Sequence, residues 1–187
     1  MSILSDQERE HVAIGAAIGA GCRPCTQYHV KAATEAGLST DDILAAVEEA
    51  ELVRIEAATG IADYARGKLG GAGNHNSPVC SPATQAQALA QVGAATGANA
   101  GRLLGDLLPR ARGLGLSDDA LGEAVSVAGK VKSAAAGFFD KDAQRALGKT
   151  ETVAAVPDDG DGCEGASQGC VPSATTGEPI AATQSCC

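Results

Sequence analysis

The strongest constraint on how this chain can fold is an internal repeat. Gly15-Ala16-Ala17-Ile18-Gly19-Ala20 returns as Gly93-Ala94-Ala95-Thr96-Gly97-Ala98, and Gly37-Leu38-Ser39-Thr40-Asp41-Asp42 returns as Gly115-Leu116-Ser117-Asp118-Asp119-Ala120, both 78 residues later. Two independent matches at one offset mark a duplicated unit. Duplicated helical units pack together because neither buries its apolar face alone.

The content of each copy predicts helices. Aromatic residues make up 2% of the 187-residue chain and Trp is absent, so the core must rely on Leu, Ile and Val and on close helix approach through Ala and Gly. The expected fold is an all-α, duplicated helical bundle. In the first copy, Ser5 or Asp6 caps a helix that runs through Val12, Ala13, Ala16 and Ala17 towards Gly19, with Gly15 weakening it locally. A second helix runs from near Cys22 to about Ala36, where Gly37 supplies the stop. Ser39 caps a third, from Thr40 to about Ala65. Its Ile43, Leu44, Val47, Ala50, Leu52, Val53 and Ile55 form an apolar stripe, and Glu48, Glu49, Glu51 and Glu56 read as a solvated face.

The composition divides the chain into residues 1–66, a Gly-, Ser- and Pro-containing linker at 67–84, a second repeat at 85–149 and a tail at 150–187. Isolated His75 and Cys80 fall in the linker. The tail has six acids and no Lys or Arg, a composition that predicts disorder. A formal charge of -9 argues against nucleic acid as a partner. The first residues lack the basic-then-apolar pattern of a signal, and no apolar run approaches the ~20 residues of a membrane span, so a cytoplasmic protein is expected. Seven unevenly clustered cysteines make a poor secreted disulfide framework and suggest redox or soft-metal chemistry instead.

The reactive groups concentrate in Gly21-Cys22-Arg23-Pro24-Cys25-Thr26-Gln27-Tyr28-His29. On a helix, Cys22, Cys25 and His29 share one face. A thiol pair in a first helical turn closes a disulfide with little rearrangement, and the unpaired N–H groups there stabilise thiolate. Pro24 fits that turn because its missing N–H had no intrahelical partner. Glu10 lies on the preceding helix, close enough in sequence to pack back across the thiols. At the repeat offset these four positions become Ala88, Ala100, Leu103 and Leu107, so the second copy reads as scaffold without catalysis.

Written as Glu10-x11-Cys22-x2-Cys25-x3-His29, the pattern resembles the active-site signature of the alkylhydroperoxidase D-like branch of the carboxymuconolactone decarboxylase family. The resemblance covers roughly Asp6 to Ala65. It implies an enzyme, a peroxidase or disulfide oxidoreductase, in which Cys25 is the nucleophile, Cys22 its resolving partner and proton donor, and His29 with Glu10 a proton relay. It also implies a peroxide or disulfide substrate, a thiol or dithiol electron donor, no further cofactor and a homo-oligomer. The helix dipole alone favours the upstream cysteine as thiolate, whereas His29, one turn beyond Cys25, favours the downstream one. Pro24 departs from the pattern by removing a second imidazole between the cysteines. A zinc site built from Cys22, Cys25, His29 and Glu10 is disfavoured, since structural sites draw ligand pairs from separate elements. Capture of a metal or metalloid by the tail thiols Cys163, Cys170, Cys186 and Cys187 is the alternative from another class. The thiol pair argues against the family's decarboxylase chemistry, and the contrast between the two copies argues against a purely structural assembly protein.

Overall fold

The computed structural model describes residues 2–71, 79 and 81–149. His75, Cys80, the tail expected to be disordered and its cysteines Cys163, Cys170, Cys186 and Cys187 lie outside the described residues. The fold is all-α, with helices α1 (Asp6–Gly19), α2 (Arg23–Glu35), α3 (Thr40–Lys68), α4 (Gln85–Gly97), α5 (Gly101–Gly113) and α6 (Asp118–Ala146). A shift of 78 residues carries α2 onto α5 and α3 onto α6 end for end, and α1 onto α4 except for one residue at its start.

Local chemistry sets these boundaries. Ser5, Ser39, Thr84 and Ser117 are N-caps whose side chains accept an N–H from the first turn. Glu8, Asp42 and Gln87 complete reciprocal capping boxes at three of them. Past the ends of α2 and α5, Gly37 and Gly115 take φ of 87° and 92°, a left-handed turn that side chains rarely adopt. The repeat extends to side chains: Gln7 donates to the Ala36 carbonyl at 3.1 Å and Gln85, its counterpart, to the Leu114 carbonyl at 2.9 Å.

The crossing of α1 and α4 is the centre of the molecule. A Cβ on Gly15 would stand 2.1 Å from the Ala90 carbonyl oxygen, and one on Gly93 would stand 2.1 Å from that of Val12. Gly19 and Gly97 meet Ala94 and Ala16 in the same reciprocal way. Gly15 therefore lies inside a regular helix as part of the surface that lets two backbones touch, rather than only as the weak point the local sequence suggests, and Gly19, where the helix ends as expected, belongs to the same surface. Helices α3 and α6 flank both central helices, α2 packs on α1, and α5 packs on α4. Ile14, Leu89 and Leu107 are the largest fully enclosed aliphatics, each contributing about 1.5–3 kcal/mol of burial.

Helix α3 departs from expectation in three ways. It continues to Lys68, past the expected end at Ala65 and into the expected linker, with Arg66 and Lys68 placed favourably at the negative end of its dipole. Its buried stripe is Ile43, Ala46, Ala50 and Val53, which leaves Leu44 and Ile55 exposed. Glu49 is half-buried and accepts a 2.6 Å hydrogen bond from Gln91, a fully enclosed side chain of α4, so it does not belong to a solvated face. No helix among the described residues is long and apolar enough to cross a membrane.

The N-terminal residues are tied to the second copy. The Ser2 hydroxyl donates to Glu123 of α6 at 2.6 Å and the Ile3 N–H donates to the same carboxylate at 2.7 Å, which seats Leu4 in the core. These bonds, led by that of Ser2, hold the Glu123 carboxyl below the usual glutamate range.

Candidate redox site

Helix α1 ends at the cap residue Ala20, and Gly21, with φ of 71°, reverses the chain into α2. The Cys22 N–H donates back to the Ala17 carbonyl at 2.9 Å, which anchors the turn. Cys22 is the extended N-cap of α2, and its sulfur accepts the Cys25 N–H at 3.2 Å. In place of the Ser or Thr usual at this position, a sulfur satisfies one of the free donors of the first turn. Pro24, in that turn, has no N–H to satisfy.

Cys22 and Cys25 are joined by a disulfide with their Cα atoms 5.3 Å apart. They are 7% and 5% exposed and lie in one apolar cluster with Val53 of α3 and residues of the second copy. The Thr26 hydroxyl donates to the Cys22 carbonyl at 2.9 Å and ties the turn from its outer side.

His29 follows Cys25 by one turn. Its Nδ1 lies 3.0 Å from Glu10 Oε2 on α1, with the two side chains 13% and 19% exposed. A carboxylate facing Nδ1 fixes the hydrogen on that nitrogen and leaves Nε2 as the proton acceptor. The Tyr28 ring meets the imidazole edge-on, with centroids 5.0 Å apart. The arrangement thus contains a two-electron sulfur couple and, one turn along the same helix, an oriented base.

In the second copy the reactive groups give way to packing. Ala88 and Leu107, the counterparts of Glu10 and His29, are buried in the core, and Ala100 and Leu103, the counterparts of the cysteines, pack against it.

One neighbour of the site is not evident from the motif. Arg54 of α3 donates from a terminal nitrogen to the Ile18 carbonyl at 2.7 Å, and its guanidinium covers Gly21 so closely that a Cβ there would stand 2.6 Å from it. The repeat held a clue: Lys132 and Asn99 occupy the equivalent positions, bond to each other, and Asn99 keeps the positive φ, at 57°. His11, next to Glu10 in sequence, is buried and bonded through Nδ1 to the Gln7 carbonyl of its own helix at 2.9 Å. Among the described residues, no three His, Cys, Asp or Glu side chains gather where a metal ion would sit.

The site is thus a helical unit that carries a dithiol turn beside a histidine–carboxylate pair. Residues 2–65 match the family model described as "Carboxymuconolactone decarboxylase family", so this segment of the chain is similar to that family. Comparison with curated proteins finds no match, and neither does comparison with solved structures.

Proposed function

We propose that the chain is a thiol-dependent oxidoreductase of the alkylhydroperoxidase D-like kind, acting in a reducing cytoplasm on peroxides or disulfides through Cys22 and Cys25. The observation that carries this reading is the disulfide at the mouth of α2 together with the Glu10–His29 pair one turn beyond it. In the reduced enzyme, His29 Nε2 takes the Cys25 proton, and Glu10, bonded to Nδ1, stabilises the imidazolium that results. The Cys25 thiolate attacks the outer oxygen of a hydroperoxide; the S–O bond forms as the O–O bond breaks, and the leaving alkoxide takes a proton from the relay or from the Cys22 thiol. The products are an alcohol and the Cys25 sulfenic acid. Cys22 sulfur then attacks Cys25 sulfur, water departs, and the disulfide closes. An external dithiol returns two electrons and two protons and leaves as its own disulfide.

The test is turnover of tert-butyl hydroperoxide with dithiothreitol as reductant. Cys25→Ser is expected to abolish it, whereas Cys22→Ser leaves one sulfenic acid per chain, detectable by a sulfenic-acid-specific trap. Full activity in Cys25→Ser sinks the mechanism.

A further inference from the structure

An open cleft of about 540 Å³ borders the redox turn where α1, α2 and α3 meet. Ile18, Val47 and Ile55 form its apolar wall, and Thr26, Glu51 and Arg54 supply its polar groups. Two of these residues touch the segment that carries the sulfurs. Thr26 follows Cys25 and holds the Cys22 carbonyl, while Arg54 lies over Gly21, the neighbour of Cys22. A guanidinium has five N–H donors in a planar fork suited to carboxylate. The Ile18 carbonyl occupies one terminal nitrogen of Arg54, and among the described residues no carboxylate pairs with this exposed cation. Beside it, Ile55 keeps 47% of its surface in solvent, an apolar wall adjoining a cation.

The scaffold copy lacks this combination. Lys132 replaces Arg54 and is bonded to the side chain of Asn99, Ser133 replaces Ile55, and Gly129 replaces Glu51. A guanidinium without a carboxylate partner among the described residues, beside an apolar wall, therefore occurs in the copy that has the thiols.

We propose that the cleft binds amphiphilic monocarboxylates, with the aliphatic body along Ile18, Val47 and Ile55 and the carboxylate on Arg54. Resting on the redox reading above, the cleft selects aliphatic hydroperoxides that carry a carboxylate. Glu51, one turn before Arg54, disfavours a second negative charge and restricts the ligand to a monoanion.

Octanoate and its uncharged analogue octanamide, titrated calorimetrically into the full-length chain, test the binding without any turnover. Octanoate should bind saturably and more tightly than octanamide, weaken about tenfold in Arg54→Gln, stay within a few-fold of wild type in Arg54→Lys, and tighten in Glu51→Gln. Equal binding of acid and amide, or no response to Arg54→Gln and Glu51→Gln, overturns the proposal. In turnover, an aliphatic hydroperoxy acid should be preferred over its methyl ester, and Arg54→Gln should erase that preference by lowering kcat/KM for the acid alone. An equal loss on both substrates would make Arg54 a prop for the Gly21 turn and likewise overturn the assignment. The two readings fail separately. Octanoate binding without peroxide turnover removes the redox function and keeps the cleft, whereas tert-butyl hydroperoxide turnover without octanoate binding removes the cleft and keeps the redox function.

Discussion

In the proposed relay Glu10 acts on the sulfur pair only through His29, to which it is bonded, so its contribution is separable from shape. Glu10→Gln retains an oxygen able to accept the Nδ1–H but removes the charge that favours imidazolium. Peroxide turnover in this variant is expected to fall about 100-fold, with the Cys22–Cys25 disulfide still forming on slow oxidation. Stopped-flow kinetics at fixed peroxide checks this, and a loss under threefold would remove Glu10 from the relay. The exposed Lys31–Glu35 pair, 3.7 Å apart with both side chains over half in solvent, provides the contrast. Glu35→Gln should change stability by less than about 0.5 kcal/mol, because such pairs are screened. Glu123 shows what a bonded surface carboxylate does to pH dependence. Its folded-state pKa is depressed, by the Ser2 hydroxyl first and the Ile3 N–H next, so its contribution to stability is complete above the unfolded glutamate value of about 4.3. That contribution disappears as pH falls through the lower folded value. Wild type should therefore lose thermal stability more steeply than Glu123→Gln between about pH 5 and pH 3, and parallel curves would contradict this. At this scale, legibility depended on sequence distance. Glu10, Cys22, Cys25 and His29 stand out through their spacing, but Arg54 and Glu49 do not, because their partners Ile18 and Gln91 come from other helices.

Helix ends could be read from the sequence because caps are local. Ser5, Ser39 and Ser117 each act within three residues of their own position. The packing role of Gly15 is not legible locally for the opposite reason, since the helix that makes it necessary begins at Gln85. Two substitutions of the same kind separate the two roles of helical glycine. Gly93→Ala places a Cβ 2.1 Å from the Val12 carbonyl oxygen, a backbone atom with no room to retreat, and should cost about 3 kcal/mol or more. Gly122→Ala, on an exposed stretch of α6 with open space around it, should stabilise by about 0.5–1 kcal/mol through the lower helix propensity of glycine. Urea denaturation of both variants measures the signs directly. Destabilisation of equal size in both would mean that the α1–α4 contact is not the tight crossing described.

The repeat makes the molecule look divisible, but its packing makes it one body. Each central helix packs against both α3 and α6, so each half completes the core of the other. Cys22 and Cys25 share their apolar cluster with Leu89, Leu107, Leu121 and Val131, all from the second copy. A half that unfolded alone would expose the mate of every central glycine and the back of the redox turn. The chain should therefore unfold in a single cooperative transition. It carries suitable probes: Trp is absent, and the two tyrosines, Tyr28 on α2 and Tyr64 on α3, both lie in the first copy, whereas far-UV circular dichroism reports on the helices of both copies. Tyrosine fluorescence and ellipticity followed through the same urea series should give coincident midpoints. They should move together in Gly93→Ala even though that residue lies outside the copy holding both fluorophores. A fluorescence transition that stays in place while the ellipticity shifts would mean that the thiol-bearing half folds on its own, and that the second copy is a passenger rather than the other face of the site's core.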